Sequence, residues 1–218
     1  MRGGVINFEN KIFRKGNMKK NIFKSILLYS TIIFSIFIFS GCGYNTLVSL
    51  EEGVNSAWAQ VENQYQRRAD LIPNLVKTVE GAANFEKGVL TEVTEMRSKV
   101  GQMKLTVDDL NDAEKFAAYQ KAQDNLSNAL SRLLVVTENY PDIKSTENFK
   151  MLQTQLEGTE NRITVERKKF NEAVQQFNTE ARSFPTVIMA KIFGFKEKQY
   201  FKGKEGSENA PDVKFNLK

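Results

Sequence analysis

Downstream of residue 44, apolar side chains recur at alternating steps of three and four residues, which places them on one face of a helix. Four such segments follow one another, at residues 47–68, 75–103, 116–140 and 149–181. The same steps describe the seam along which long helices pack side by side. The pattern therefore predicts an all-α fold, an elongated antiparallel four-helix bundle of long helices behind an N-terminal membrane anchor or signal segment.

Proline and capping residues mark the ends of these segments. Asp70 followed by Pro73 predicts a break near Arg68–Leu71, because aspartate caps helices and proline is tolerated in a first helical turn. The alternative is a helix that runs through and is kinked at Pro73. Further on, Ser145 is expected to cap a fourth helix that ends at about Arg182.

Composition divides the chain into four parts. A basic region at 1–24 precedes an apolar signal or transmembrane segment at 25–43, which ends at Cys42. The helical bundle is expected at 44–184, and a short apolar helix with a lysine-rich tail at 185–218.

The apolar helix of the tail has two interpretations. Its residues Ile188 and Ile192, with Phe195 after it, are expected to cover one end of the bundle. The alternative is an exposed contact with a partner or a membrane, because large exposed apolar patches mark interaction sites.

The positive charge of the chain belongs to its N-terminal part. Residues 1–41 hold seven basic residues and one acid, a net charge of +6, whereas the whole chain carries +5. The predicted helical domain is therefore not basic, which argues against nucleic-acid binding. A basic flank before an apolar run also predicts that the domain lies outside the cytoplasm. Met18 is an alternative start that leaves a compact leader.

Cys42 is the only cysteine, and it lies at the end of the apolar run. Phe39-Ser40-Gly41-Cys42 resembles a bacterial lipobox, with phenylalanine in place of the usual leucine. The resemblance implies cleavage and lipidation at Cys42. The alternative is an uncleaved transmembrane helix, since the uncharged run extends to Leu50. Both interpretations end at a membrane.

The residue inventory excludes most catalytic chemistry. The chain has no histidine, and its lone cysteine lies at the predicted membrane, so His- and Cys-based catalysis and zinc sites are excluded. No phosphate-binding glycine loop occurs. We therefore predict no enzyme activity, no cofactor and no metal; an enzyme that uses carboxylates alone is the remaining catalytic alternative.

A few charged residues interrupt the apolar stripes. Glu86 and Glu160 occur where apolar residues are due, and Arg67, Arg68 and Arg162 are candidate partners. Either a structural ion pair or a ligand site would satisfy a buried acid. A further set of basic residues is expected to lie on a solvated face: Arg97, Arg132, Arg162, Arg167, Lys168 and Lys169.

Eight segments carry a family resemblance. They are Tyr44–Val48, Ala57–Val76, Leu133–Asp142, Glu147–Phe149, Leu156–Ile163, Phe170–Val174, Arg182–Pro185 and Phe193–Phe195. Together they resemble the bacterial LemA family over about residues 44–217. The resemblance implies an N-terminal membrane anchor, an elongated all-α bundle-like domain and no known catalytic chemistry or catalytic residues.

The resemblance also draws attention to polar residues within the predicted core helices, because such residues can fix helix register. We hypothesise a structural polar network, or alternatively a partner-binding patch, formed by Arg67, Arg68, Asp70, Glu160, Asn161 and Arg162. The function predicted is that of a membrane-anchored, non-enzymatic envelope protein that acts through protein–protein interaction. The alternative is an accessory or adaptor subunit of a membrane protease.

Overall fold

The computed structural model describes residues 3–81 and 85–203, with side chains from residue 43 onward and at 27–31. These residues form helices α1 (Gly3–Glu80), α2 (Lys87–Gln102), α3 (Ala113–Thr137), α4 (Pro141–Lys144), α5 (Glu147–Arg182) and α6 (Thr186–Phe193). A 3₁₀ turn (Val107–Asn111) links α2 to α3. No strand occurs among the described residues, so the all-α prediction is confirmed.

Two helix pairs build the fold: α1 packs along α5, and α2 packs along α3. The apolar side chains of these helices form two buried clusters at different positions along the helix axes. The first, the Trp58 cluster, includes Leu47, Val54, Trp58, Val61, Tyr65, Phe116, Tyr119, Ile163, Phe170 and Phe177. The second, the Leu75 cluster, includes Ile72, Leu75, Val79, Val89, Val93, Leu126, Leu130, Leu133, Phe149 and Leu156. Burial of these side chains is the main source of stability.

The expected break near Arg68–Leu71 is wrong, because α1 continues through Pro73. Proline has no N–H, so the carbonyl of Ala69 loses its helical hydrogen bond. The Nε of Arg97, on α2, donates to that carbonyl at 3.0 Å. A donor from a neighbouring helix thus replaces the missing one, and α2 begins only at Lys87. Arg97 is a structural residue and not part of a solvated face.

Replacing Arg97 with methionine is expected to lower the free energy of unfolding by about 1–2 kcal/mol, because a half-buried carbonyl loses a charged donor. In a Pro73→Ala background the same change should cost much less, since alanine restores the backbone donor. Urea unfolding of the four proteins measures this coupling. Equal costs in both backgrounds would contradict the role given to Arg97.

Arg132→Met is the matched control. Arg132 pairs with Glu92 at 3.2 Å on the surface of α3, where its side chain is 61% exposed. Such a pair contributes little, so this variant should stay within about 0.5 kcal/mol of the parent protein.

The α5 helix begins one residue later than expected. Ser145 follows α4, and the N-cap of α5 is Thr146, whose hydroxyl accepts a hydrogen bond from the Phe149 amide at 3.4 Å. Pro141 starts α4, which reverses the chain after α3. The helix then runs to Arg182, as predicted.

The tail helix α6 lies against α1 and α5. Its buried residues are Thr186 and Ala190. Ile188 and Ile192 are 50% and 68% exposed, so the expectation that both cover the end of the bundle is wrong. Phe195 is partly buried and packs against the Trp58 cluster.

The membrane anchor or signal segment predicted at 25–43 lies mostly among residues whose side chains are outside the described set, as does the side chain of Cys42. The tail beyond Gly203 is also outside it. Among the described residues, no helix combines the length and the apolar character that crossing a membrane requires.

Candidate functional site

A polar layer separates the two apolar clusters, and Arg68 is its centre. Arg68 follows Val61 and Tyr65 along the buried stripe of α1 and precedes Ile72, at steps of four, three and four residues. Because it occupies a core position of a helical stripe, its side chain points into the protein, where its exposure is 0%. A fully buried guanidinium requires charged and polar partners.

Residues from α3 and α5 supply those partners. The Nη1 of Arg68 donates to Glu160 Oε1 at 2.8 Å and to Ser127 Oγ at 2.6 Å. Its Nη2 donates to Gln123 Oε1. The Ser127 hydroxyl in turn donates to the second carboxylate oxygen of Glu160 at 3.1 Å. The polar layer therefore connects three helices through one guanidinium.

The structure brings together two of the six residues named from the sequence, Arg68 and Glu160. The other four, which are all exposed and outside the polar layer, are Arg67, Asp70, Asn161 and Arg162. Asp70 accepts a hydrogen bond from Gln66 at 2.7 Å instead. Glu86, the other acid considered, is exposed and immediately precedes α2.

Sequence reasoning missed Gln123 and Ser127 as members of the layer. A signal for Gln123 was present, because this glutamine occupies an apolar position in the stripe of α3. Ser127 carries no such signal. It becomes part of the layer only because α3 places it beside both Arg68 and Glu160.

A second cation, which is largely buried, lies one layer away. Arg167 on α5 donates from Nε to the Tyr65 hydroxyl at 2.7 Å and from Nη2 to Asp124 at 2.8 Å. Its guanidinium also lies 4.8 Å from the centre of the Phe201 ring, a cation–π distance. Arg167 is 17% exposed, so the expectation that it lies on a solvated face is wrong.

Burial controls the ionisation of the tyrosine in this group. It raises the pKa of Tyr65 to about 12, although the nearby Arg167 and Arg68 act in the opposite direction. Tyr65 is therefore a neutral hydroxyl at physiological pH. It accepts a hydrogen bond from Arg167 and has the character of a structural group more than of a catalytic acid.

The chain after α6 forms an extended strap, residues 195–203, whose backbone is held by side-chain amides. Asn178 accepts from the Lys198 amide and donates to its carbonyl, both at 2.9 Å. Asn171 holds Phe201 in the same way, at 2.9 and 3.0 Å. Each asparagine thus satisfies both backbone groups of one strap residue.

The strap is also fixed at its sides. Gln120 on α3 makes the same pair of bonds to Lys202, and the Gln199 amide donates to Leu110 in the 3₁₀ turn at 2.8 Å. Lys198 is buried and pairs with Glu51 of α1 at 2.7 Å. The strap therefore ties α1, α3 and α5 together beside the Trp58 cluster.

One surface cleft of about 920 Å³ lies between α1, α2 and α3. Its lining includes Glu62, Gln66, Arg97 and Lys104. Partial burial raises the pKa of the Glu62 carboxyl. Within the described part of the chain, no three or more acids or other metal-ligating side chains cluster in a way that could hold a metal ion. The lining mixes charged and polar side chains with apolar ones.

These features define an all-helical protein in which the buried polar groups connect helices. A model of the LemA family matches residues 57–215, most of the described domain. The chain belongs to the LemA family.

Named relatives extend the comparison. The chain is 30% identical to magnetosome protein MamQ 2 of Paramagnetospirillum magneticum, and the match covers 76% of this chain and 66% of the relative. Magnetosome protein MamQ of Magnetospirillum gryphiswaldense is 28% identical over the same shares. Protein LemA of Metamycoplasma hominis is 25% identical, with 75% of this chain and 71% of the relative covered. The chain thus spans just under two thirds of the length of these MamQ proteins.

Proposed function

We propose that this LemA-family protein is attached to a membrane by its N-terminal segment and binds another envelope component through its helical domain, without catalysing a reaction. The continuity of α1 is the observation that carries this proposal. One helix runs from Gly3 to Glu80, so the basic and apolar N-terminal residues and the core residues Leu47 to Val79 belong to a single rod. Any membrane attachment at the start of the rod positions the whole domain.

In this proposal the helices α1, α2, α3 and α5 act as one elongated antiparallel bundle that extends away from the membrane. The part of α1 from residue 43 to 80 alone measures about 57 Å at 1.5 Å per residue. The basic flank before the apolar run favours a domain on the extracytoplasmic side. The cleft between α1, α2 and α3 offers a concave surface, part polar and part apolar, at a distance from the lipid.

The arrangement of buried charges supports a non-enzymatic role. Arg68 and Arg167 are occupied by partners inside the fold, and the buried tyrosine between them stays neutral. A catalytic group needs a donor or acceptor available to its substrate, whereas both guanidiniums and the Tyr65 hydroxyl bond to groups of the fold. A binding function requires only that these groups hold the surface in a fixed shape.

Fractionation of cells that express the full chain tests the attachment. We expect the protein in the membrane fraction, where its intact mass shows whether the anchor is a lipid or a transmembrane helix. If the measured mass is that of a chain that begins at Cys42 and carries acyl chains, and if a Cys42→Ala variant lacks this species, the protein is lipidated at Cys42. An unmodified full-length mass indicates a transmembrane helix. Recovery in the soluble fraction, in the parent protein and the variant alike, would contradict membrane attachment.

Cross-linking before detergent extraction tests the interaction. We expect the chain to be recovered with a defined envelope protein, and the recovery to fall when Gln66 and Lys104 in the cleft are both replaced by alanine. A matched double variant at exposed positions of α5, Gln175→Ala with Glu172→Ala, should leave recovery unchanged. Isolation of the chain alone from cross-linked membranes would contradict a binding function, and recovery of a membrane protease would favour the adaptor role.

A further inference from the structure

The short helix α6 has an apolar face that no part of the described chain covers. Thr186 and Ala190 lie on its buried face. Ile188 and Ile192 lie on the opposite face and are at least half exposed. Phe184, before the helix, extends this surface with an exposure of 83%. We call Phe184, Ile188 and Ile192 the α6 patch.

The α6 patch lies beside the point where the apolar N-terminal run ends. A Cβ atom added to Gly43 of α1 would be 3.7 Å from the side chain of Thr186 and 4.0 Å from that of Met189. The ring of Phe193 has its centre 4.7 Å from that of Tyr44. The helix α6 therefore packs on the turn of α1 that begins directly after Cys42.

Either kind of anchor brings that turn to the lipid. If Cys42 is lipidated, Gly43 is the next residue after the acyl chains. If α1 spans the membrane, the uncharged run begins at Ser25, directly after Lys24, and a hydrocarbon core of about 30 Å takes up roughly twenty residues, to about Tyr44. Tyr44 and Val48 on the outer surface of α1, 38% and 36% exposed, then lie at the same depth as α6.

The charge of the segment suits an anionic lipid surface. From Ser183 to Lys196 the chain contains no acid, and its two charged residues are Lys191 and Lys196, both exposed. An apolar face flanked by lysines is the pattern of a helix that lies in the headgroup region. The charge of Arg182, just before the segment, is balanced by Glu197, whose carboxylate lies 3.7 Å from its Nε.

From this placement we propose that the α6 patch inserts into the lipid interface beside the anchor, so that the domain contacts the membrane at two elements, α1 and α6. The inference rests on the membrane attachment proposed above. It adds a second contact that fixes the orientation of the domain, because two contacts restrict a rotation about α1 that a single anchor permits.

Tryptophan fluorescence of the full chain in vesicles tests the inference. The chain has one tryptophan, Trp58, which is 1% exposed and serves as an internal reference. Ile192→Trp places a second tryptophan on the α6 patch and leaves Cys42 intact. The control is Met151→Trp, because Met151 is 51% exposed but lies on α5 about 45 Å before the end of that helix. The vesicles contain phosphatidylcholine and phosphatidylglycerol with brominated acyl chains.

When vesicles are added, we expect the emission of the new tryptophan in Ile192→Trp to shift to shorter wavelength and to be quenched by the brominated acyl chains. The new tryptophan in Met151→Trp should keep the emission wavelength of a water-exposed side chain and should not be quenched. Ile188→Trp should repeat the result. A protein that floats with the vesicles but whose tryptophan at 192 is unquenched would overturn the α6 contact alone. A blue shift without quenching would mean that a second copy covers the patch, and it would also overturn the contact. Failure to float would overturn the attachment and the α6 contact together.

Discussion

Arg68→Met is expected to lower the free energy of unfolding by about 3 kcal/mol, the low end of the range for removing one partner of a buried charge pair. The guanidinium is the shared donor of the polar layer, so its loss leaves Gln123, Ser127 and Glu160 without their common partner. We place the effect at the low end because the Glu160 side chain, 37% exposed, can regain water. For a chain of this size the melting temperature should fall by roughly 6–12 °C.

Thermal and urea unfolding followed by circular dichroism measure this effect, and Arg67→Met is its control. Arg67 is the adjacent residue of the same type on the exposed side of α1. Its replacement should change the free energy of unfolding by less than about 0.5 kcal/mol. If the two variants lose equal stability, the polar layer does not have the structural role that its geometry indicates.

A double-mutant cycle with Glu160→Gln separates the pair from its surroundings. The distance of 2.8 Å between Arg68 and Glu160 predicts a coupling energy of at least about 1 kcal/mol, whereas Arg67 and Glu160 should be additive. Coupling to Arg67, with none to Arg68, would show that the pairing is misassigned.

The second large effect is expected in the strap at 195–203. Asn178→Ala should destabilise the protein by about 2 kcal/mol, because the amide and the carbonyl of Lys198 both lose their partner in a buried position. The loss should be concentrated in the strap, since local openings can occur without global unfolding. Hydrogen exchange at the amides of Lys198, Phe201 and Lys202 should therefore accelerate by about 30-fold, the factor that corresponds to 2 kcal/mol.

Asn128→Ala is the matched control for this experiment. Asn128 is an exposed asparagine on α3, so its replacement removes a side chain of the same kind without touching the strap. Exchange in the strap should then equal that of the parent protein. Unchanged exchange in Asn178→Ala would show that the paired amide bonds do not hold the strap in place.

The polar layer and the strap together explain how a fold of long helices keeps one arrangement. Apolar stripes with steps of three and four can slide along each other at little cost, because neighbouring layers resemble one another. Arg68 fits only where Gln123, Ser127 and Glu160 meet, so it selects one register of α1, α3 and α5. The strap then connects the same three helices, through Glu51 of α1, Gln120 of α3 and the two asparagines of α5.

The sequence by itself determined the all-α class, the apolar stripes and the ends of α3 and α5 to within about three residues. The apolar stripe at 47–68 includes Arg68, and α5 ends at Arg182 as expected, because both signals act over a few residues of one helix. Glu160 was also recognisable as an acid near the stripe of α5.

Only the tertiary structure decided the contacts between helices. The continuation of α1 through Pro73 depends on Arg97, a residue of another helix, so no local rule could predict it. Glu160 pairs with Arg68 because Arg68 is the arginine of α1 that faces α5. The register of α3 places Ser127 within hydrogen-bonding distance of Glu160. The exposed face of α6 follows from the packing of its other face, with Thr186 and Ala190, against α1 and α5. Each of these contacts is set by packing between segments that are distant in sequence. The pattern along the chain specifies only which face of each helix is buried.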